Sequence, residues 1–254
     1  MSISALAPRV HELWEELAAA PVSFGPAGTV RVVASPSSAM CPPGWVGLVV
    51  VGGSAIVTAP DDGAAGRVRE AFAHVAGDEL TDLAVVRALL PVGDALGPAA
   101  LGYLSAPDFR PVDAAADKLR IEPLPTGHPG LGELDAAAGE AEAGEASLHK
   151  ITSPAFVLRD GDTVVAACGY QAWPSRTAHI SVLTHPAWRG RGLARVTASA
   201  AVRHALEAGL LPQWRARVPA SRRVARALGF AEIGTQISVE LGGPDQGTGR
   251  VAAA

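Results

Sequence analysis

Apolar and polar residues alternate between two rhythms along this 254-residue chain. Residues 5–19 place apolar side chains at helical spacing among Glu and Arg, which predicts an amphipathic helix. Residues 29–34 predict a short strand. The apolar runs 45–51 and 55–58 flank Gly52-Gly53-Ser54 and predict a hairpin. Residues 67–75 and 80–90 return to helical spacing, with Val68, Phe72 and Val75 on one face. The Pro-bounded stretch 91–98 breaks the pattern, and 101–104 predicts another strand.

A second series starts after residues 107–117, a Pro- and Asp-rich stretch that reads as a linker. Strands are predicted at 119–124, 155–159, 163–171, 177–184, 211–218 and 233–241. Acidic helices are predicted within 131–148, a longer helix over 193–208 closed by Gly209, and another over 221–228 closed by Gly229. The run near Val164 is almost wholly apolar, as at the centre of a sheet covered on both faces. The pattern predicts an α/β (α+β) protein with a mixed central sheet flanked by helices and an additional smaller N-terminal α/β domain. The boundaries fall at 1–112 for the N-terminal domain and 115–242 for the second. Residues 243–254 form a polar, Gly-rich tail expected to be disordered.

Composition narrows the class of function. Apolar residues make up 48 % and charged residues 18 %, enough for a core and against disorder. The net charge of −4 argues against a protein built to coat nucleic acid. That charge is uneven: residues 176–226 hold ten arginines and one acid, Glu207, whereas 108–145 hold nine acids and three bases. Cys41 and Cys168 make neither a disulfide framework nor a zinc pattern, so no metal is expected. The uncharged stretch 32–60 is broken by Pro36, Pro42-Pro43 and Gly52-Gly53, which predicts strands and turns and not a membrane span. A cytoplasmic protein fits these features.

The chemistry concentrates in one stretch, His179-Ile180-Ser181-Val182-Leu183-Thr184-His185-Pro186-Ala187-Trp188-Arg189-Gly190-Arg191-Gly192-Leu193-Ala194. It reads as a strand, a Pro-bounded turn, a glycine loop and a helix start. The first amides of a helix are unpaired and carry partial positive charge. Glycines let the main chain approach a ligand oxygen, and together these features suit a phosphate or pyrophosphate. Arg189 and Arg191 add attraction. The third glycine of the dinucleotide fingerprint is missing, and no Gly-Lys-Ser/Thr follows as in a Walker loop.

The stretch resembles the GNAT superfamily of N-acetyltransferases, whose signature Arg/Gln-x-x-Gly-x-Gly/Ala reads here Arg189-Gly190-Arg191-Gly192-Leu193-Ala194. A second family motif, a helix ending in Leu-Gly-Phe, is similar to Ser221-Arg222-Arg223-Val224-Ala225-Arg226-Ala227-Leu228-Gly229-Phe230. The resemblance covers about residues 118–241. It implies a GNAT fold for the second domain and a divergent, degenerate GNAT-like companion in the first. It also implies acetyl-CoA as co-substrate, with its pyrophosphate on the amides of Gly190, Arg191, Gly192, Leu193, Ala194 and Arg195, beside Arg189 and Ser221. Val182 and Thr184 would hold the pantetheine by strand-like bonds, with the amide of Val182 or Leu183 as oxyanion donor. The acceptor would be an amine of a small molecule or a peptide.

The sequence departs from the family at two positions. Val218 stands where an Asn often contacts the cofactor, and Ala225 where a Tyr often protonates the leaving thiolate. His179 takes about the place of the family's strand Glu and is the candidate general base, against an ordinary strand histidine. Tyr170 and Trp173 could line the acceptor site, Trp188 packs under the loop, and Trp214 reads as core or acceptor wall. Glu140, Glu142 and Glu145 would suit a cationic acceptor or form a solvated helix face. A non-catalytic CoA-binding or regulatory module is the alternative to an enzyme, and nucleic-acid binding by the arginines a third. The N-terminal domain could shape the acceptor pocket or a homodimer contact.

Overall fold

The computed structural model describes residues 6–112 and 120–242. They form two compact units that do not follow chain order, because residues 7–100 group with the segment from 233 onward, and 101–232 form the other unit. The expected tail from 243 and residues 113–117 of the linker lie outside the described residues.

The first unit begins with α1 (Ala7–Ala18), whose Val10, Leu13, Trp14 and Leu17 are buried. Four strands follow in its sheet: β1 (Val30–Ala34), β2 (Val46–Val51), β3 (Ser54–Ala59) and the last strand of the chain, β10 (Ala231–Leu241). Their order is β1-β3-β2-β10, and β4 (Val92–Tyr103) flanks β10. The predicted hairpin joins β2 to β3 with Val51 opposite Ser54. Its two turn residues, Gly52 and Gly53, take φ of 57° and 78°, as a two-residue hairpin turn requires. β10 runs antiparallel to β2, with Thr235 opposite Val50. Helices α2 (Asp62–Ala71) and α3 (Leu83–Leu89) supply Val68 and Val86 to a core with Leu48, Val57, Ile237 and Val239. Asp61 starts α2 by accepting from the Ala64 amide at 2.7 Å.

Two sequence expectations change here. The stretch 92–98 is strand and not a break, because β4 runs from Val92 through Pro98 to Tyr103, and its Gly93, Asp94, Gly97 and Pro98 hide the strand in the sequence. The last strand packs in the first unit, because Ile237 and Val239 are buried against that unit's core and not the one that precedes them in the chain.

The second unit carries β5 (Glu122–Leu124), α4 (Pro129–Ala138), α5 (Glu140–Ala146), β6 (Ala155–Asp160), β7 (Thr163–Trp173) and β8 (Thr177–Thr184). Then come α6 (Leu193–Glu207), β9 (Leu211–Ala216) and α7 (Pro219–Leu228). The strand order is β9-β8-β7-β6-β5. Neighbours are antiparallel from β5 to β8, whereas β8 and β9 are parallel and joined through α6. β7 is buried continuously from Val164 to Tyr170, as its unbroken apolar run predicts for a central strand covered on both faces. On one face Ala198, Ala201, Val202 and Ala205 of α6, with Leu228 of α7, lie on Cys168, Tyr170, Ala178 and Ile180. These small alanines let α6 approach the sheet closely. On the other face Leu131 and Leu134 of α4, with Leu148 and Ile151, cover Val157, Ala167 and Leu183.

Residues 101–112 belong to this second unit through specific bonds. The Arg110 amide donates to Leu228 O at 3.0 Å, and the Val112 amide to Ser199 Oγ at 2.8 Å. A fragment of residues 115–242 discards both and leaves 233–241 without its β2 partner. It should therefore melt well below the full chain in a thermal scan; an equal midpoint would contradict this division.

Candidate active site

The site is built where β8 hands over to α6. β8 pairs with β7 over its whole length, Thr177 to Thr184. With β9 it pairs only through Thr177, Ala178 and His179, opposite Leu211, Pro212 and Gln213. Beyond His179 the two parallel strands diverge, so the β8 edge at Val182, Leu183 and Thr184 has no strand partner on the β9 side. Main-chain groups there need another partner to be satisfied away from water. Thr184 Oγ1 and Gln213 Nε2 are buried beside this gap with no hydrogen-bond partner.

The loop that follows is locally determined. His185 Nδ1 accepts from the Ala187 amide at 3.2 Å and starts a short 3₁₀ turn, Pro186–Trp188. Gly190 and Gly192 then take φ of 78° and 79°, the left-handed region that strains any side chain. A Cβ at either position would meet nothing within 4 Å, so the main chain lies open there. Gly192 is the N-cap of α6, and no side chain caps the helix. Its first amides are therefore left for water or an anion. Leu193 is buried and anchors the first turn.

The flanking arginines are engaged. Arg189 pairs with Glu142 of α5. Arg191 places its guanidinium carbon 4.5 Å from the Trp188 ring centroid, while Trp188 packs against the cluster of Leu158, Val165, Ala166 and Leu193. Trp188 thus packs under the loop, as expected. The Ala194 and Arg195 positions lie in the first turn of α6. Ser221 sits in α7, where its Oγ accepts from Trp214 Nε1 at 2.9 Å. Val218, the N-cap of α7, offers no side-chain cap and is exposed, and Ala225 is buried in the α6–α7 core.

His179 lies at the point of divergence. Trp173 stacks on its ring at 4.0 Å with a 9° tilt. Its Nδ1 meets Gln213 Oε1, so Nδ1–H donates and Nε2 keeps its lone pair. Burial lowers its conjugate-acid value from 6.5 to about 3, and the positive charges of Arg215 and Lys150 push the same way. The imidazole is neutral at pH 7. Tyr170 faces the opposite side of the sheet, where its hydroxyl meets His204 Nδ1 at 3.0 Å. Of the two aromatic candidates only Trp173 reaches the His179 site. Trp214 is core, edge-on to Phe230.

Sequence reading did not find Gln213, although a single amide inside an apolar strand is a visible signal. It also left the acids of α5 open between two roles. Glu142 pairs with Arg189 and Glu145 with Arg217, so both are matched within the chain. Among the described residues no three His, Cys, Asp or Glu side chains come together to hold a metal, and no helix is long and apolar enough to cross a membrane.

The GNAT acetyltransferase family model matches residues 153–236, which span β6 to most of β10. No curated protein matches the chain. Among solved structures, a GNAT-family acetyltransferase from Novosphingobium aromaticivorans is 20 % identical with a TM-score of 0.46, over 58 % of this chain and 65 % of that one. A GCN5-related N-acetyltransferase from Kribbella flavida is 17 % identical with a TM-score of 0.49, over 65 % of each. An acetyltransferase from Salmonella typhimurium solved with its cofactor acetyl-CoA is 16 % identical with a TM-score of 0.38, over 54 % of this chain and 100 % of that one. This chain thus spans 65 % of the length of the first two. These likenesses are too distant to bear on activity.

The lowered value of His179 has a consequence for stability. The unfolded chain binds a proton near pH 6.5 that the folded chain refuses until about pH 3. Stability therefore rises with pH across that window and is lost as pH falls below 6.5. Urea midpoints should fall more between pH 7 and pH 5 for the wild type than for His179→Gln; equal slopes would show that the ring titrates normally. The family match lies over the strand-to-helix handover and its diverging strands, and it is over residues 153–236 that this chain is similar to GNAT acetyltransferases.

Proposed function

We propose that this domain transfers an acetyl group from acetyl-CoA to an amine of a small molecule or peptide. The carrying observation is the three-residue ladder between β8 and β9, which ends beside an uncapped, glycine-lined helix start. The gap offers unpaired strand edge for an extended amide-bearing arm, and the loop offers amides for a diphosphate. The orphaned Thr184 Oγ1, an open donor and acceptor, supports the fit.

In this reading the amides of Gly190, Arg191, Gly192, Leu193 and Ala194 hold the pyrophosphate, whereas the Arg195 amide donates to Gly192 O at 3.0 Å and contributes only through the helix start. Arg189 reaches it by exchanging Glu142 for a phosphate oxygen, and Ser221 flanks it. Val182 and Thr184 bond the pantetheine as a strand would, and the amide of Val182 or Leu183 faces the thioester oxygen. Acetyl-CoA supplies the acyl group as a thioester: the amine nitrogen bonds to the carbonyl carbon, the C–S bond breaks, and the amine proton is lost as the thiol leaves.

His179, whose Nδ1 is engaged by Gln213, offers Nε2 as a base with a free lone pair. A base this weak takes the proton only after bond formation has made the nitrogen strongly acidic. Its contribution therefore sits at the lower end for positioned bases, about 10²-fold. His179→Ala should lower kcat by about that factor while leaving acetyl-CoA affinity unchanged; an unchanged kcat would assign the ring a packing role.

A second reading, a non-catalytic CoA-binding module, is favoured by Ala225. That position is buried in the core, so α7 offers no acid to the leaving thiolate there. Calorimetry with acetyl-CoA and free-thiol release over an amine panel separate the two: binding without turnover supports the module. In both readings Gly192→Trp should weaken acetyl-CoA binding at least tenfold with little change in melting midpoint. Unchanged affinity would contradict the placement of the pyrophosphate.

A further inference from the structure

The first unit leaves one edge of its sheet open. β1 is the last strand in the order and pairs only with β3, in parallel. The Ala55 amide donates to Thr29 O at 2.8 Å, and the Ser35 amide to Ala59 O at 2.7 Å. These bonds fix the parity of the strand. Residues 29, 31, 33 and 35 turn their main-chain groups toward β3, so Val30, Val32 and Ala34 turn theirs outward, where no strand meets them. One outward group is occupied, because Arg69 Nη2 of α2 donates to Val32 O at 3.2 Å. The side chains of Val30, Val32 and Ala34 pack on the unit's core, which holds the edge in place.

A groove of about 640 Å³ lies beside this edge. Pro21 and Val22, from the segment after α1, line it together with Val30, Arg31, Val32 and Arg69. Its charged groups are both cations, and no acid among the described residues lines it. Neither Arg31 nor Arg69 forms an ion pair among the described residues. A second copy pairing along this edge would bring these arginines against their equivalents. Like charges discourage that pairing, whereas an acidic strand meets complementary charge.

We propose that the β1 edge is a docking site for an extended acidic segment of a partner protein, which adds a strand through Val30, Val32 and Ala34 and sets carboxylates against Arg31 and Arg69. Main-chain bonds supply affinity in such strand addition, and alternate side chains supply selectivity. The two cations serve opposite faces. Arg69 comes from α2, on the face where Val30 and Val32 pack, and Arg31 projects from β1 to the other. Successive side chains of an added strand also alternate between faces, so two neighbouring carboxylates reach both cations. Val32 O has a second lone pair and can accept from the added strand while Arg69 stays bound. The site does not depend on the acetyl-transfer reading.

The test uses the full chain and fluorescence anisotropy of a labelled, end-blocked peptide, Thr-Val-Val-Glu-Glu-Val-Val-Thr, with a twin carrying Lys-Lys in place of Glu-Glu. The Glu peptide should bind about tenfold more tightly than the Lys peptide. Val32→Pro removes one outward N–H and no bond to β3, so it should weaken the Glu peptide about fivefold with an unchanged melting midpoint. Arg31→Glu with Arg69→Glu should invert the order in favour of the Lys peptide, a gain that misfolding cannot produce. No saturable binding of the Glu peptide, equal binding of the two, full binding in Val32→Pro, or an order that survives charge reversal would each overturn the proposal. Sedimentation of the chain alone covers the remaining occupant: a dimer that Val32→Pro abolishes would give the edge to a second copy and overturn it as well.

Discussion

Thr177, Ala178 and His179 pair with Leu211, Pro212 and Gln213, and there the parallel ladder between β8 and β9 stops. A parallel pair buried in a sheet normally continues as far as both strands run, because each unpaired amide or carbonyl loses a hydrogen bond. Here β8 continues for five residues to Thr184 with only β7 beside it. The divergence is held open from outside the gap. α6 lies on one face through its alanines, while α4 and residues 148–151 cover the other. The result is a wedge with strand edge on its wall and a bare helix start at its mouth.

Charge follows from that shape. In the proposed reading the mouth holds an anion, and Arg189, Arg191 and the first amides of α6 are the positive groups there. In the structure the two arginines are held in place by Glu142 and by the Trp188 ring. Such pairs are exposed and weak, which suits a contact that is to be exchanged for a ligand. Deeper in the wedge the chemistry changes. His179 is neutral, stacked on Trp173 and bonded to Gln213, and burial and the positive charges of Arg215 and Lys150 keep the ring a weak base.

Much of this was legible in the sequence. The hairpin at Gly52-Gly53, the apolar run of β7 and the glycine loop before α6 are set by local residue chemistry, and each lies where its pattern places it. What could not be read depends on contacts distant in sequence. Gly93, Asp94, Gly97 and Pro98 obscure the strand β4 in the sequence, and β10 joins β2 some 190 residues earlier, as in the bond from Gln236 Nε2 to Met40 O at 2.6 Å. The pairing of His179 with Gln213 and of Glu142 with Arg189 joins residues 34 and 47 positions apart. Neither pair has a local signal that marks its partner, so His179 could be placed on its strand but its environment, and hence its basicity, could not be derived.

The central claim is that main chain, in the loop and along the open edge of β8, grips the ligand. Amide hydrogen exchange with and without acetyl-CoA reports on those groups directly. The account predicts strong slowing, centred on the amides of Val182, Thr184 and residues 190–194, with the first unit unchanged. Exchange that is unaltered at these amides while acetyl-CoA is bound would contradict it.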